Sequence, residues 1–254
     1  MELFIKMNLK EKIIKEYQTK ELVDNFDETR SEFIFNKKKH EYETEILNRI
    51  LKAQKSTPKV LDVACGTGRL LKEVLNAQEK IDYIGLDTSK QMVAKIKERK
   101  LELKKEQHIK FVIAEANKMP FSDNKFDVTY TYHLLWHLTN AQQEEIIKEM
   151  IRVTKPEGII LIDILNKAFI WERIKKVFNV RSDPTIYKFS KREIKNLITP
   201  NKILRINKLL DPPIKSKKFY FIIEILNKLG PILPKFLFHI FYIKIKKNKM
   251  EKRL

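Results

Sequence analysis

The chain has 254 residues, with 52 lysines and arginines against 33 acids and a formal net charge of +19. Its single cysteine excludes an internal disulfide, and its longest apolar candidate, residues 236–243, falls well short of the ~20 residues that cross a bilayer. The first residues lack the apolar core of a signal peptide. We therefore expect a cytoplasmic protein, with a peripheral membrane location left open.

The first 56 residues predict a helical cap. Apolar residues recur at helical spacing between residues 5 and 22 and again between residues 40 and 51. Such a segment would cover a ligand cleft in the part of the chain that follows. Three of its side chains are candidates for the roof of that cleft, with core packing or a solvated surface as the alternative for each: Tyr17, Phe26 and Arg30.

The most informative stretch is residues 60–71, VLDVACGTGRLL, in which an apolar run ends in Gly-x-Gly and passes into a helical pattern. This strand–turn–helix order lets bare backbone approach a nucleotide-like ligand, and glycine permits it because a Cβ would clash or forbid the turn. A second apolar run ends in Asp87, where a carboxylate can accept hydrogen bonds from two ribose hydroxyls. Leu71 occupies the place of the third small residue of dinucleotide sites, which disfavours a pyrophosphate ligand.

Beyond residue 57 the pattern alternates between strands and helices. We predict strands near 58–64, 81–86, 109–114, 126–131, 157–164, 202–209 and 237–246, and helices near 68–78, 89–104, 141–153 and 190–198. This alternation predicts an α/β fold, a Rossmann-like doubly wound sheet with helices on both faces. Five positions from separate segments then fall at the carboxyl edge of the strands: Gly66, Asp87, Glu115, Tyr132 and Asn166.

The motifs resemble those of class I S-adenosylmethionine-dependent methyltransferases. After the glycine motif, residues 87–92 are similar to Asp-x-Ser-x-x-Met, residues 111–121 to the third motif, residues 126–138 to the fourth strand with its active-site turn, and residues 155–158 to Lys-Pro-Gly-Gly. The resemblance spans roughly residues 58–165 and is closest to the type 11 group, which includes quinone- and lipid-modifying enzymes. It implies a seven-stranded sheet, mostly parallel with the last strand antiparallel, and S-adenosyl-L-methionine as cofactor.

The same resemblance assigns the cofactor-binding residues. The glycine loop would contact the methionine part and ribose, the acid after the second strand would hold the ribose, and the third motif would contact the adenine. Glu115 departs from the usual Asp or Asn, and Ala64 and Cys65 stand where glycine is common. The predicted cofactor residues are Asp62, Gly66, Gly68, Asp87, Met92, Glu115, Ala116 and Tyr132.

Two histidines are the candidates for proton transfer. His133 and His137 lie four residues apart in the turn after the fourth strand and would share a face if that turn were helical. His137 is the stronger candidate, because resembling enzymes often carry histidine in that place. Packing at the rim is the alternative for both. We expect no metal, since neither a cysteine nor a third histidine accompanies the pair.

Residues 57–165 are the predicted cofactor-binding core, and residues 166–254 complete the sheet with two basic and apolar insertions, at about 166–189 and 211–236. Both insertions combine aromatic residues with lysines, which suits an anionic membrane surface. We therefore expect a methyltransferase acting on a small-molecule or lipid-like acceptor. An RNA methyltransferase using the basic surface and a cofactor-binding, non-catalytic partner protein are the alternatives, and the oligomeric state is open.

Overall fold

A computed structural model describes residues 34–54, 56–99, 101–166, 191–209, 226–229 and 240–249, with the single positions 19, 188, 234 and 238. The proposed roof residues, Tyr17, Phe26 and Arg30, lie outside the described residues. So do most of the two predicted insertions, including Trp171 and Phe221.

The described helices and strands alternate as predicted beyond residue 57. The helices are α1 (Ile34–Lys52), α2 (Leu71–Ala77), α3 (Lys90–Glu98), α4 (Asn140–Val153) and α5 (Lys191–Ile198), with a short 3-10 helix at Leu135–His137. The strands are β1 (Lys59–Val63), β2 (Ile81–Asp87), β3 (Gln107–Ile113), β4 (Phe126–Thr131), β5 (Thr154–Leu165), β6 (Lys202–Leu209) and β7 (Ile240–Lys246).

The strands form one seven-stranded sheet in the order β3-β2-β1-β4-β5-β7-β6. β1 to β5 pair in parallel, with Val63 beside Leu86 and Tyr130 beside Leu161. β7 lies between β5 and β6 and runs antiparallel to both. The predicted fold class is confirmed, and the chain order reverses beside β1, where β2 lies on one side and β4 on the other.

Alternate residues of each strand pack on opposite faces of the sheet. One face, with Val60, Tyr130 and Leu161, is covered by α1, α2 and α3, whose Leu47 and Leu71 are fully buried. The other face is covered by α4 and α5, and its strand residues include Leu61, Ile160, Ile162 and Ile243. This period of two, with both faces apolar, explains why the central strands are almost continuously apolar.

Two helices are shorter than the sequence predicts. The stretch 66–70 forms turns in which Gly68 donates to the Cys65 carbonyl and Leu71 to the Gly68 carbonyl, so α2 begins only at Leu71. α3 ends at Glu98, and residues 101–106 connect it to β3 without helix. The side chain of Gln107 donates to two carbonyls at the end of α2, which holds the start of β3 beside that helix. Tertiary contacts that return the chain to the sheet therefore override the local helix propensity of these residues.

Candidate functional site

The glycine loop after β1 adopts the backbone conformation that the sequence predicts. Gly66 and Gly68 have φ values of +55° and +72°, and Ala64 has +61° although it carries a Cβ. A Cβ at Gly68 would lie 3.1 Å from Ile96 of α3, so glycine is needed there for close packing. Among the described residues, none would lie within 4 Å of a Cβ at Gly66. In the described part of the chain, the backbone at Gly66 thus faces open space at the carboxyl edge of the sheet.

The carboxylate of Asp87 joins this loop to the end of β2. Its Oδ2 accepts a hydrogen bond from the Gly66 N–H at 2.8 Å, and its Oδ1 accepts one from the Ser89 N–H at 2.9 Å. Ser89 in turn caps α3 by accepting from the Met92 N–H. Burial raises the pKa of Asp87. Hydrogen bonds from the backbone N–H groups of Ser89, Gly66 and Thr88 lower it by a smaller amount. The loop and acid that the spacing placed together are therefore in direct contact.

The predicted adenine contacts lie beside this acid. The carbonyl of Asp87 accepts from the Ala114 N–H, which positions the exposed Glu115 and the half-buried Ala116 at the same edge. Met92 is buried on α3. Their roles as cofactor contacts stay predictions.

Asp62 has a different environment from the other predicted cofactor residues. It is buried in β1, where one oxygen, Oδ2, accepts from the hydroxyls of Tyr83 at 2.8 Å and Tyr130 at 2.7 Å. Burial raises its pKa to about 6, against the effect of the two tyrosine hydrogen bonds. The geometry places Asp62 in the core beneath the loop, and direct contact with a cofactor stays a prediction.

A buried group of polar side chains lies under α1, on the same sheet face as Tyr130. We call it the polar cluster, and it consists of Glu43, Arg69, His133, Asp163 and Tyr242. Glu43 is its centre: Oε1 is 2.6 Å from His133 Nε2 and accepts from the Tyr242 hydroxyl at 3.1 Å, while Oε2 accepts from Arg69 at 2.7 Å. Both carboxylates, Glu43 and Asp163, are fully buried.

The glycine loop and the turn after β4 both contribute to the polar cluster. Arg69 directly follows Gly68, so one side chain links the loop to α1. The hydroxyl of Tyr132, a predicted cofactor contact, donates to the Glu43 carbonyl at 3.2 Å. Tyr132 thus ties the end of β4 to α1, and a contact with the cofactor stays a prediction.

The charges of the polar cluster compensate one another only in part. Burial alone would raise the pKa of Glu43, but His133 and Arg69 more than offset it, so the pKa is lowered and Glu43 is ionised. Burial lowers the pKa of His133 to about 3 against the attraction of Glu43. Burial and the neighbouring Glu43 charge raise the pKa of Asp163 well above its usual range. The main ionised pair at neutral pH is Glu43 with Arg69.

The two candidate histidines do not share a face. His133 has φ +63°, its backbone N–H donates to both oxygens of Asp163 at 3.0 and 3.2 Å, and its ring stacks on Trp136 at 4.7 Å. His137 ends the 3-10 helix and is half-buried. The condition for a common helical face is not met, because the left-handed residue at 133 precedes a helix of only three residues.

Sequence reasoning missed Glu43, Arg69 and Asp163. Two of them leave a signal in the sequence, since Glu43 lies within the apolar face of α1 and Asp163 interrupts the apolar run of β5. A charged residue inside an apolar stripe needs a partner when it is buried. The sequence alone does not say which partner, because Glu43 and His133 are 90 positions apart.

Glu43, His133 and Asp163 are also residue types that bind metal ions, and their ligand atoms lie within 4.8 Å of one another. Both oxygens of Glu43, however, already accept hydrogen bonds from Arg69 and Tyr242. The donor set therefore fits a hydrogen-bonded network better than a metal centre. The expectation of a reaction without metal stays a prediction.

Comparison with known proteins agrees with this geometry. A family model described as a methyltransferase domain matches residues 60–158. The ubiquinone/menaquinone biosynthesis C-methyltransferase of Rickettsia prowazekii is 35% identical over 104 residues, which cover 39% of this chain and 41% of that protein. A protein of the same name from Burkholderia mallei is 33% identical over 125 residues, 49% of each chain. The chain thus matches less than half the length of these relatives.

Two solved structures show the same fold over most of the chain. Magnesium protoporphyrin IX methyltransferase from Synechocystis PCC 6803, with bound S-adenosylhomocysteine, gives a TM-score of 0.65 at 12% identity and covers 94% of this chain and 100% of that one. A methyltransferase dependent on S-adenosylmethionine from Archaeoglobus fulgidus gives 0.55 at 21% identity, covering 82% and 94%. The resemblance that the motifs indicated is confirmed: residues 60–158 match a methyltransferase domain, and the chain is similar to class I S-adenosylmethionine-dependent methyltransferases, among them those of the ubiquinone/menaquinone type.

Proposed function

We propose that this protein transfers a methyl group from S-adenosylmethionine to a small-molecule or lipid-like acceptor. One observation carries the proposal: the open glycine loop is bonded to the Asp87 carboxylate, and Arg69 links that loop to the polar cluster under α1. A cofactor site and a candidate acceptor site thus adjoin at one edge of the sheet, where ligands bind in this kind of fold.

The cofactor, when bound, supplies an activated methyl group on sulfonium. The protein must then bind it, align the acceptor and exclude water. The backbone at Gly66 would approach the cofactor, and Gly68 lets the same loop pack closely on α3. Asp87 retains acceptor capacity for the ribose hydroxyls, and Met92 with Ala116 would contact the adenine. His133 and His137 are the candidates to receive a proton from the acceptor.

The cover formed by α1 favours a small acceptor. Tyr42 of α1 packs on Tyr242 with ring centroids 5.5 Å apart, and the side chain of His133 is only 9% exposed. A small molecule reaches the His133 side chain under α1 more readily than a folded RNA does. The names of the relatives concern quinones and that of the Synechocystis protein concerns a porphyrin, and both agree with such an acceptor.

Methyl-labelled cofactor tests this proposal directly. The protein is incubated with labelled S-adenosylmethionine and a cell extract, which is then separated into organic, aqueous small-molecule, RNA and protein fractions. We expect label in the organic or small-molecule fraction, and much less with Asp87→Ala when the cofactor concentration is below the Kd of that variant. Label in RNA would establish the alternative acceptor, whereas cofactor binding without transfer to any fraction would indicate a non-catalytic partner protein.

A lipid-like acceptor also suggests docking at an anionic membrane. Among the helices that the structure describes, none has the length and apolar character needed to cross a bilayer. The sequence 215–222 instead combines three lysines with three aromatic residues, a composition that suits the membrane surface. We expect co-sedimentation with phosphatidylglycerol vesicles that survives moderate salt and weakens in Phe221→Glu. Binding that collapses steeply with salt would favour phosphate contacts, and no binding would favour a soluble acceptor.

A further inference from the structure

We propose that Glu43 is a positioning residue that keeps the proton of the His133 imidazole on Nε2, so that Nδ1 receives a proton from the methyl acceptor. The acceptor class follows, since its nucleophilic atom must carry a hydrogen that is lost in the reaction. This inference rests on the proposed function. It assigns a role to a residue that lies outside the matched methyltransferase domain, residues 60–158.

The hydrogen bonds of Glu43 set the tautomer of His133. An ionised carboxylate only accepts hydrogen bonds. Oε2 is bound by the Arg69 guanidinium at 2.7 Å, which keeps the group ionised, and Oε1 lies 2.6 Å from His133 Nε2. Nε2 must therefore donate, and in a neutral imidazole the lone pair then lies on Nδ1.

Other contacts fix where the ring lies. The His133 N–H donates to both oxygens of Asp163, and the imidazole stacks on Trp136 at an angle of 32°. Among the described residues, none forms a hydrogen bond with Nδ1, and the side chain of His133 is 9% exposed. The ring thus has one nitrogen occupied by Glu43 and one available to a ligand.

The groups around the His133 ring suit an imidazole that is neutral before the reaction and takes up a proton during it. Among the described residues, the titratable side chains around the ring come from α1, the glycine loop, the turn after β4, β5 and β7: Glu43, Lys39, Arg69, Tyr132, Asp163 and Tyr242. Burial keeps the imidazole unprotonated at neutral pH. When a proton arrives at Nδ1, the Glu43 carboxylate at 2.6 Å stabilises the resulting imidazolium.

The step balances without a further reactant. The acceptor atom forms a bond to the methyl carbon, the carbon–sulfur bond breaks, and its electron pair stays on sulfur as a thioether. The hydrogen of the acceptor atom passes as a proton to His133 Nδ1 and later to solvent. Hydroxyl, amine and activated C–H acceptors need this group, whereas a carboxylate or a thioether acceptor does not.

The proton position in the wild-type protein is the first test. Selective ¹⁵N labelling of histidine with long-range ¹H–¹⁵N spectra distinguishes the tautomers, and His133→Gln identifies its signals among those of the five histidines. We expect the proton on Nε2, in the free protein and with S-adenosylhomocysteine bound. A proton on Nδ1, or an imidazolium at pH 7, would overturn the proposal.

Glu43→Gln is the second test. Because Arg69 donates to one side of this position, the new amide turns its oxygen to Arg69 and its NH₂ group to His133. Nε2 must then accept, so the proton moves to Nδ1. Because Nδ1 can then no longer receive a proton from the acceptor, the rate of methyl transfer falls about 100-fold. The Kd for S-adenosylhomocysteine stays unchanged.

Glu45→Gln is the matched control, since its exposed side chain pairs with Arg49 on the same helix. It should keep both the tautomer and the rate of the wild type. An unchanged tautomer in Glu43→Gln with S-adenosylhomocysteine bound would refute the positioning role alone. Failure of S-adenosylhomocysteine to bind the wild type would instead count against the proposed function.

Discussion

Replacing Asp87 by alanine removes the acceptor that joins the glycine loop to the end of β2. Its two oxygens hold the Gly66 and Ser89 N–H groups at 2.8 and 2.9 Å, and each has a further lone pair for a ribose hydroxyl. A hydrogen bond to a charged acceptor contributes about 1.5–3 kcal/mol, so the loss of one ribose contact raises Kd about 10- to 150-fold. Loss of the loop anchor adds to that figure. We therefore expect at least tenfold weaker cofactor binding.

Isothermal titration with S-adenosylhomocysteine measures this change. The variant should fold, because Asp87 belongs to neither apolar cluster of the core. Asp82→Ala, at the opposite end of the same strand, is the matched control and should bind like the wild type. A folded Asp87→Ala protein with unchanged affinity would refute the assignment of this carboxylate.

Asp62→Asn should stabilise the protein more at pH 8 than at pH 4, measured by urea unfolding at both values. Because its pKa is raised to about 6, Asp62 is protonated in the folded protein at low pH. The wild type therefore loses about 3 kcal/mol of its free energy of unfolding as the pH rises through that value. The asparagine side chain keeps one oxygen that can accept from both tyrosine hydroxyls. Equal effects of the substitution at the two pH values would contradict this account. Leu47→Ala should lower the free energy of unfolding by about 2–5 kcal/mol, because this side chain of α1 is fully buried. A loss below about 1 kcal/mol in the same assay would show that α1 packs loosely on the sheet.

Local patterns predicted the parts of the site that depend on backbone conformation. The contact between Gly66 and Asp87 follows from two strand ends of a parallel sheet, and the positive φ values follow from the glycines themselves. The capping box that begins α4 likewise joins residues three positions apart, Thr139 and Gln142. These features need only neighbours in the chain or in the sheet.

The polar cluster could not be predicted in the same way. Glu43, Arg69 and His133 belong to three segments, and their contacts depend on how α1 crosses the sheet. Asp62 illustrates the same limit, since its place in a strand does not reveal that two tyrosines from neighbouring strands satisfy it. Side-chain partners across an α/β fold are set by tertiary packing, which the linear pattern does not specify.

The central claim is that the glycine loop binds S-adenosylmethionine and not a dinucleotide. Leu71 fills the position that a small residue takes in dinucleotide sites, and in the structure it is fully buried in the core at the start of α2. The most direct measurement is isothermal titration of the wild-type protein with S-adenosylhomocysteine and, separately, with NAD. We predict saturable binding of S-adenosylhomocysteine at one site per chain and none of NAD. Binding of NAD without binding of S-adenosylhomocysteine would contradict the account.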